Sequence, residues 1–224
     1  MDKALIDGLI EIIGKDAVVA DETRLMSYES DALAMYHEKA DLVILPADTA
    51  ETAACMKLIA SFGVPIVPRG AGTGLTGGAR PIEGGVVVAT SRMRQVFEVN
   101  PTDGFARTGA GLVNVDLTHA CEDHGLFYAP DPSSQRACTI GGNVANNSGG
   151  PHCFRYGATT RSIMGLVVVT PDGEVHELGG PEPESEGYDL VGCFVGSEGM
   201  LGVATEVTCK LIPLPETSET LLAL

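Results

Sequence analysis

Five glycines, Gly70, Gly72, Gly74, Gly77 and Gly78, fall within nine positions of the segment VPRGAGTGLTGGARP, directly after a stretch that reads as a β-strand. Glycine has no Cβ, so it reaches left-handed backbone and lets other groups come close. The chain carries 28 glycines in 224 residues, well above the ordinary usage of about 7%. They cluster rather than scatter, which points to tight backbone approaches more than to a tether. Consecutive small residues after a strand let backbone N–H groups converge on an anion, the physical basis of a phosphate-binding nest. Arg69 and Arg80 flank the cluster with positive charge in a chain of formal charge −16. A glycine-rich surface turn is the alternative.

Two familiar phosphate loops fail on context. Gly72, Gly74 and Gly77 match G-x-G-x-x-G, but that fingerprint must open a helix and be followed about 20 residues later by a ribose-binding acid. Pro81, Gly84 and Gly85 break any helix, and the next strand ends at Thr90 and Ser91 without a carboxylate. The P-loop fails as well, since Gly78 and Ala79 follow Gly77 where Lys and Ser/Thr are required. A nicotinamide-type doubly wound domain is thereby disfavoured. What remains is a loop that binds pyrophosphate through its backbone without a following helix.

The second cluster, APDPSSQRACTIGGNVANNSGGPHCFRYGATT, has no Asp, Glu, Lys or Arg between Ala137 and Phe154, in a chain that is 20% charged. Thr139, Gly141, Gly142, Asn143, Asn146, Asn147, Ser148, Gly149 and Gly150 offer neutral donors and acceptors at close backbone range. That suits a planar heterocycle whose edge alternates N–H, C=O and ring nitrogen. A turn-rich loop with self-capping asparagines is the competing reading. His152 is the candidate general base, weighed against a packing role.

The patterning predicts an α+β fold. Leu5, Ile6, Leu9, Ile10 and Ile13 lie at helical spacing before Gly14, and the polar stretch to Ala40 has Leu33, Met35 and Tyr36 as anchors. LVILP, TAETAACMKLIASFG and VPIVP read as a βαβ unit with Asp48 or Thr49 at the helix cap. GGVVVAT, QVFEVN and FARTGAG read as three short strands, VNVDLTHACEDHG as a helix, MGLVVVTPDGEVHEL as a hairpin on a Pro-Asp-Gly turn, and LGVATEVTCKLIPLP as a long last strand.

Composition removes other classes of function. A charge of −16 repels polyanions, and Arg92 with Arg94 is the densest basic cluster, so no nucleic-acid role is expected. The six cysteines include no C-x-x-C pair, which argues against zinc and for reduced, mostly buried thiols. No window approaches the 18 or so apolar residues of a membrane span. The expected location is cytoplasmic, with the membrane reached only through partners.

Taken together, PRGAGTGLTGGA, PDPSS…CTIGGNVANNSGG, HCFRYGAT and VGSEGMLGVATEV resemble the PCMH-type, vanillyl-alcohol-oxidase-like FAD-binding domain, and within it the glycolate oxidase FAD subunits and the D-lactate and D-2-hydroxyglutarate dehydrogenases. The resemblance implies a two-lobed domain at 41–213, with lobes of about 41–110 and 111–213. An N-terminal helical segment at 1–40 would precede it, and 214–224 would begin a linker to a substrate domain. It also implies non-covalent FAD, because the histidine used by covalently flavinylated branches is missing from the 69–80 loop.

By the same resemblance, Arg69, Gly70, Ala71, Gly72, Thr73, Gly74, Gly77 and Gly78 would hold the pyrophosphate, and Pro130, Asp131 and Pro132 would lie along the cofactor. Thr139, Gly141, Gly142, Asn147 and Gly149 would border the isoalloxazine and ribityl portion, and Glu198, Gly199 and Val203 the adenosine half. The implied reaction is oxidation of a small 2-hydroxy acid, with further oxidase subunits carrying FAD or iron–sulfur clusters as partners. The family's proton-handling histidine and any metal ligands would belong to the substrate domain; no metal ligand is expected here. A stand-alone, non-catalytic FAD-binding module is the alternative.

Overall fold

In a computed structural model that describes residues 1–182, 187–217 and 219–222, the chain forms two sheets joined by short helices. Helix α1 (Lys3–Ile13) is capped by Asp2, whose side chain accepts from Ala4 N, and it stops at Gly14, where φ is 81°. Its buried Leu5, Leu9 and Ile13 face α3, and Gly8 permits close approach, since a Cβ there would lie 2.9 Å from Leu58 Cδ2. Strand β1 (Val18–Val19), helix α2 (Glu22–Leu25) and strand β2 (Leu42–Ile44) follow. Helix α3 (Thr49–Ser61) begins at Asp48, which accepts from Glu51 N at 2.9 Å, while Glu51 Oε2 accepts from Ala47 N at 2.7 Å. Strands β3 (Ile66–Arg69) and β4 (Val86–Ala89) complete a sheet of order β1-β2-β4-β3. β2, β4 and β3 run parallel, and β1 is antiparallel on the edge. β2 and β4 are buried along their whole length, as continuous apolar runs in a covered parallel sheet should be.

The second sheet has order β5-β6-β10-β8-β9 and is antiparallel throughout. Its first strands are β5 (Val96–Asn100) and β6 (Phe105–Gly109), followed by α4 (Asn114–Cys121), the two-residue β7 (Leu126–Phe127), α5 (Ile140–Asn146) and α6 (Cys153–Tyr156). The hairpin of β8 (Ile163–Val169) and β9 (Val175–Gly179) turns at Gly173, whose N–H reaches Thr170 O at 2.8 Å. After α7 (Leu190–Phe194), the central strand β10 (Val203–Lys210) alternates buried and half-buried residues, and β11 (Ile212–Pro213) pairs with β7. Helices mixed with a parallel and an antiparallel sheet make the fold α+β, as expected.

The lobe division differs from the sequence reading. β5 and β6 had been placed with the first lobe, yet β6 pairs with β10 over Glu206–Lys210, so the change of sheet falls between Ala89 and Val96 rather than near residue 110. The N-terminal segment is not separate either: α1 joins the first lobe's core and β1 extends its sheet. Met35 and Tyr36 do not anchor it, being 76% and 54% exposed, whereas Leu25, Asp31 and Ala40 are buried. The long last strand breaks at Leu211, where pairing moves from β6 and β8 to β7.

The lobes share packing. Val169 and Val203 of the second sheet belong to the cluster formed by Leu5, Leu9, Leu42, Met56 and Val86. Thr49 Oγ1 on α3 lies 2.8 Å from Thr205 Oγ1 on β10. Among the described residues no helix is long and apolar enough to cross a membrane.

Candidate functional site

The first glycine loop leaves β3 at Arg69, which is only 7% exposed. Its guanidinium donates to Ala79 O at 2.9 Å, Tyr28 O at 3.4 Å and Ser27 O at 3.5 Å, and lies over the Tyr28 ring, 5.5 Å from the centroid. Burial pulls its pKa down, with Tyr28 and Asp31 opposing that shift. The sequence reading gave this charge to an incoming anion; in the fold it is already satisfied by carbonyls across the loop. Gly72 sits at φ 72°, where a Cβ would run into that guanidinium.

The anion-binding capacity lies in the backbone. Among the hydrogen bonds found within the described residues, none is donated by the N–H groups of Gly70 through Thr76. A run of unpaired amides along a partly buried loop requires an acceptor from outside the chain or from water. The Gly77 N–H is different, because it donates to Asp31 Oδ2 at 2.8 Å.

The second glycine cluster contains a helix that sequence reading did not anticipate. Thr139 caps α5 by accepting from Gly142 N at 3.1 Å, and Asn147 ends it in left-handed backbone at φ 45°. Poor helix formers at Gly141, Gly142 and Asn143 hide it; burial of Ile140 and Val144 in the second core compensates. Gly141 is required by contact with β6's end, since a Cβ would lie 2.7 Å from Ala110 Cβ and 2.9 Å from Ala110 O. The asparagines are largely occupied internally. Asn143 Oδ1 accepts from Asn114 Nδ2 at 2.9 Å, and Asn147 Oδ1 accepts from Thr160 N at 3.0 Å. The local bonding of the competing reading is met by Asn146, whose Nδ2 donates to Gly142 O at 3.2 Å, while Asn147 binds a distant segment and the neighbouring residues form a neutral wall.

Between these segments lies a cavity of about 370 Å³, within the range of small-molecule sites. Arg69, Gly70, Ala71, Gly72, Thr73, Gly74 and Gly78 border it from one lobe, with Pro132, Thr139, Gly141, Gly142, Asn147, Gly149, Glu198, Gly199 and Val203 from the other. Gly77, Arg80, Pro130, Asp131, Gly150 and His152, also singled out in the sequence, are not on this wall. Gly77 faces a neighbouring cavity of about 480 Å³. The Pro130 carbonyl accepts from Asn114 Nδ2 at 3.1 Å, and Asp131 pairs with His152, Oδ2 to Nδ1 at 2.6 Å.

Among the wall residues that sequence reading missed are Asp31, Thr90 and Ser197. Asp31 precedes both clusters, and nothing local marks it. Thr90 follows β4, and Ser197 precedes Glu198; both line the cavity, and both hydroxyls are buried without a partner among the described residues. Such groups carry a desolvation cost unless a ligand meets them. Glu198, at φ 53°, holds strained backbone beside them, worth about 1–2 kcal/mol, while its N–H reaches Ala145 O at 2.9 Å. The two cavities meet at Pro68, Gly78, Glu198 and Gly199. The second is mostly apolar, with Met56, Val64, Ile66, Ile82 and Met200 around Arg80.

A backbone cradle facing a neutral, glycine-lined wall across two α+β lobes defines a domain that binds a phosphate-containing cofactor without a Rossmann helix. A model of the FAD binding domain family matches residues 40–179; the chain belongs to that family, and FAD is its cofactor. The glycolate oxidase subunit GlcD of Escherichia coli (strain K12) is 45% identical over 210 residues, covering 94% of this chain and 42% of that protein. A D-lactate dehydrogenase of Anaerostipes hadrus is 37% identical over 215 residues, covering 95% and 45%. Among solved structures, an alkyldihydroxyacetonephosphate synthase superposes with a TM-score of 0.86 at 23% identity over 97% of this chain and 41% of that one, which shows the fold. The chain spans less than half the length of these relatives.

The donor set fits FAD. Unpaired amides suit a pyrophosphate, the uncharged second cluster suits a flavin ring, and the orphaned hydroxyls of Thr90 and Ser197 suit a polar ligand with acceptors along its length.

Proposed function

We propose that this chain is the FAD-binding portion of a flavin-dependent 2-hydroxy-acid oxidoreductase of glycolate or D-lactate type, holding FAD non-covalently. The seven unpaired loop amides carry the cofactor half of the reading, and the relatives named above support the substrate half. In this reading the amides of Gly70–Thr76 hold the pyrophosphate, with Arg69 bracing the loop. Thr139, Gly141, Gly142 and Gly149 flank the isoalloxazine, Asn147 and Pro132 lie beside it, and Glu198, Gly199 and Val203 border the adenosine half. Thr90 and Ser197 donate to cofactor oxygens or nitrogens.

Bound FAD supplies the hydride acceptor for a CH–OH carbon. The chain's own residues orient that cofactor and keep water from one face. The described wall residues include no histidine or lysine. In this reading Asp31 is engaged by Leu33 N and Gly77 N, Arg69 by carbonyls, and Glu198 lies at the adenosine half, which leaves no base at the flavin. The base for the hydroxyl proton and the cations for the carboxylate come from a substrate domain entered through residues 214–224. His152 is assigned to loop anchoring through Asp131 rather than to proton transfer. The protein works in the cytoplasm alongside other oxidase subunits carrying FAD or iron–sulfur clusters, through which it reaches the membrane.

The same lack of a base on the wall favours a second reading, a non-catalytic FAD-binding module. Titrating the chain with FAD, followed by glycolate or D-lactate under anaerobic conditions, tests both. Flavin fluorescence should be quenched on binding, without bleaching by either acid. Bleaching should occur once the chain is joined to the remaining C-terminal portion of a relative such as the glycolate oxidase subunit GlcD; its absence there supports the module. Failure to bind FAD at all overturns both readings.

A further inference from the structure

Asp31 lies before residue 40, where the family match begins, in a stretch without regular structure after Tyr28. It is nevertheless 6% exposed, and both carboxylate oxygens are engaged. Oδ1 accepts from Leu33 N at 2.9 Å, and Oδ2 accepts from Gly77 N at 2.8 Å. The same stretch holds the glycine loop at other points: Ala32 N donates to Gly74 O at 3.0 Å, and the Tyr28 and Ser27 carbonyls accept from the Arg69 guanidinium.

A buried carboxylate on the wall of an anion site demands a reason, because it repels the phosphate the loop is built to hold. Its surroundings supply one. Asp31 is near enough to Arg69 to favour that guanidinium's charged form against the pull of burial. The two charges are therefore balanced inside the protein, and each is tied to a different part of the loop: Asp31 to Gly77, Arg69 to Ala79. Between β3 and these two ties runs the stretch Gly70–Thr76, whose amides have no acceptor among the described residues.

We propose that Asp31 is a positioning residue for the FAD pyrophosphate: it holds the Gly77 amide and balances Arg69, fixing the loop so that the N–H groups of Gly70–Thr76 face the phosphate oxygens. The inference rests on the FAD reading above and adds to it a residue outside the family's matched region. The carboxylate touches no ligand in this role. It acts by removing the alternatives the loop would otherwise sample, so that binding does not have to order it.

The test compares the wild-type chain with Asp31→Asn and Asp31→Glu, using FAD and ADP as separate ligands and amide hydrogen exchange on the ligand-free proteins. Asp31→Asn keeps the shape but loses the charge. It should weaken FAD and ADP alike, by about 10- to 30-fold, the range for losing a charge-assisted hydrogen bond. Asp31→Glu keeps the charge and misplaces it, and should fall between. Exchange protection of the Gly77 amide should drop in both variants while the amides of β2 and β4 keep theirs, which a general loss of stability would not produce. Unchanged FAD affinity, or weakening of FAD with ADP unaffected, overturns the proposal, as does loss of protection throughout β2 and β4. A wild-type chain that binds neither ligand overturns the FAD reading instead.

Discussion

Thr90 and Ser197 illustrate how a single residue can reveal a ligand. Their hydroxyls are buried at the cavity wall without a hydrogen-bond partner. Removing an unsatisfied buried hydroxyl from the ligand-free chain should cost little or even stabilise it, whereas the same change removes a donor from the complex. Thr90→Val and Ser197→Ala should therefore leave the apo unfolding midpoint unchanged or raised, and weaken FAD binding by about 3- to 10-fold each. Destabilised apo variants with unaltered affinity would show that these hydroxyls serve the fold alone. The cysteines give a pH prediction. Burial pushes the Cys55 thiol up to about 12 and the Cys121 thiol up to about 11, against about 8.5 in an unfolded chain. The folded state then holds protons that the unfolded state releases, so stability is full below about pH 8.5 and declines as pH rises toward 11 and 12. Denaturant unfolding between pH 8 and 10.5 should show this fall, and Cys55→Ala should flatten its slope.

At the scale of elements, α1 and α5 make a contrast. The apolar spacing from Leu5 to Ile13, closed by Gly14, made α1 legible, and its buried face meets α3 as expected. Leu9 is fully buried, and Leu9→Ala should cost about 2–5 kcal/mol, read as a lower urea midpoint with FAD affinity per folded molecule unchanged. Helix α5 was hidden because Ile140–Asn146 carries two glycines and two asparagines, poor formers by intrinsic preference. Its stability comes from the Thr139 cap and from burying Ile140 and Val144 against β6 and β10, contacts that no local window contains. The same limit explains β5 and β6. As strands they were evident, but β6, which carries β5 on its other edge, joins the sheet by pairing with β10, about a hundred residues later.

Across the whole molecule, an acidic chain holds an anionic cofactor with one arginine, Arg69, and no lysine among the described residues of the cavity wall. Arg69 is bonded to the carbonyls of Ala79, Tyr28 and Ser27, so attraction falls to backbone dipoles gathered where two sheets meet. That meeting is built by Val169 and Val203 entering the first lobe's core and by the Thr49–Thr205 contact, and the cavity lies along it. Two glycine-rich segments with their flanking strands were enough, on sequence alone, to point to a pyrophosphate-binding loop facing an uncharged wall, and their resemblance to a known family gave the fold class and FAD, because glycine spacing and absence of charge are local properties. The surroundings of Arg69, Asp31, Thr90 and Ser197 were decided only in the tertiary structure. Each depends on which distant groups stand within hydrogen-bonding distance, and whether a polar atom is satisfied or left for a ligand is decided by that packing.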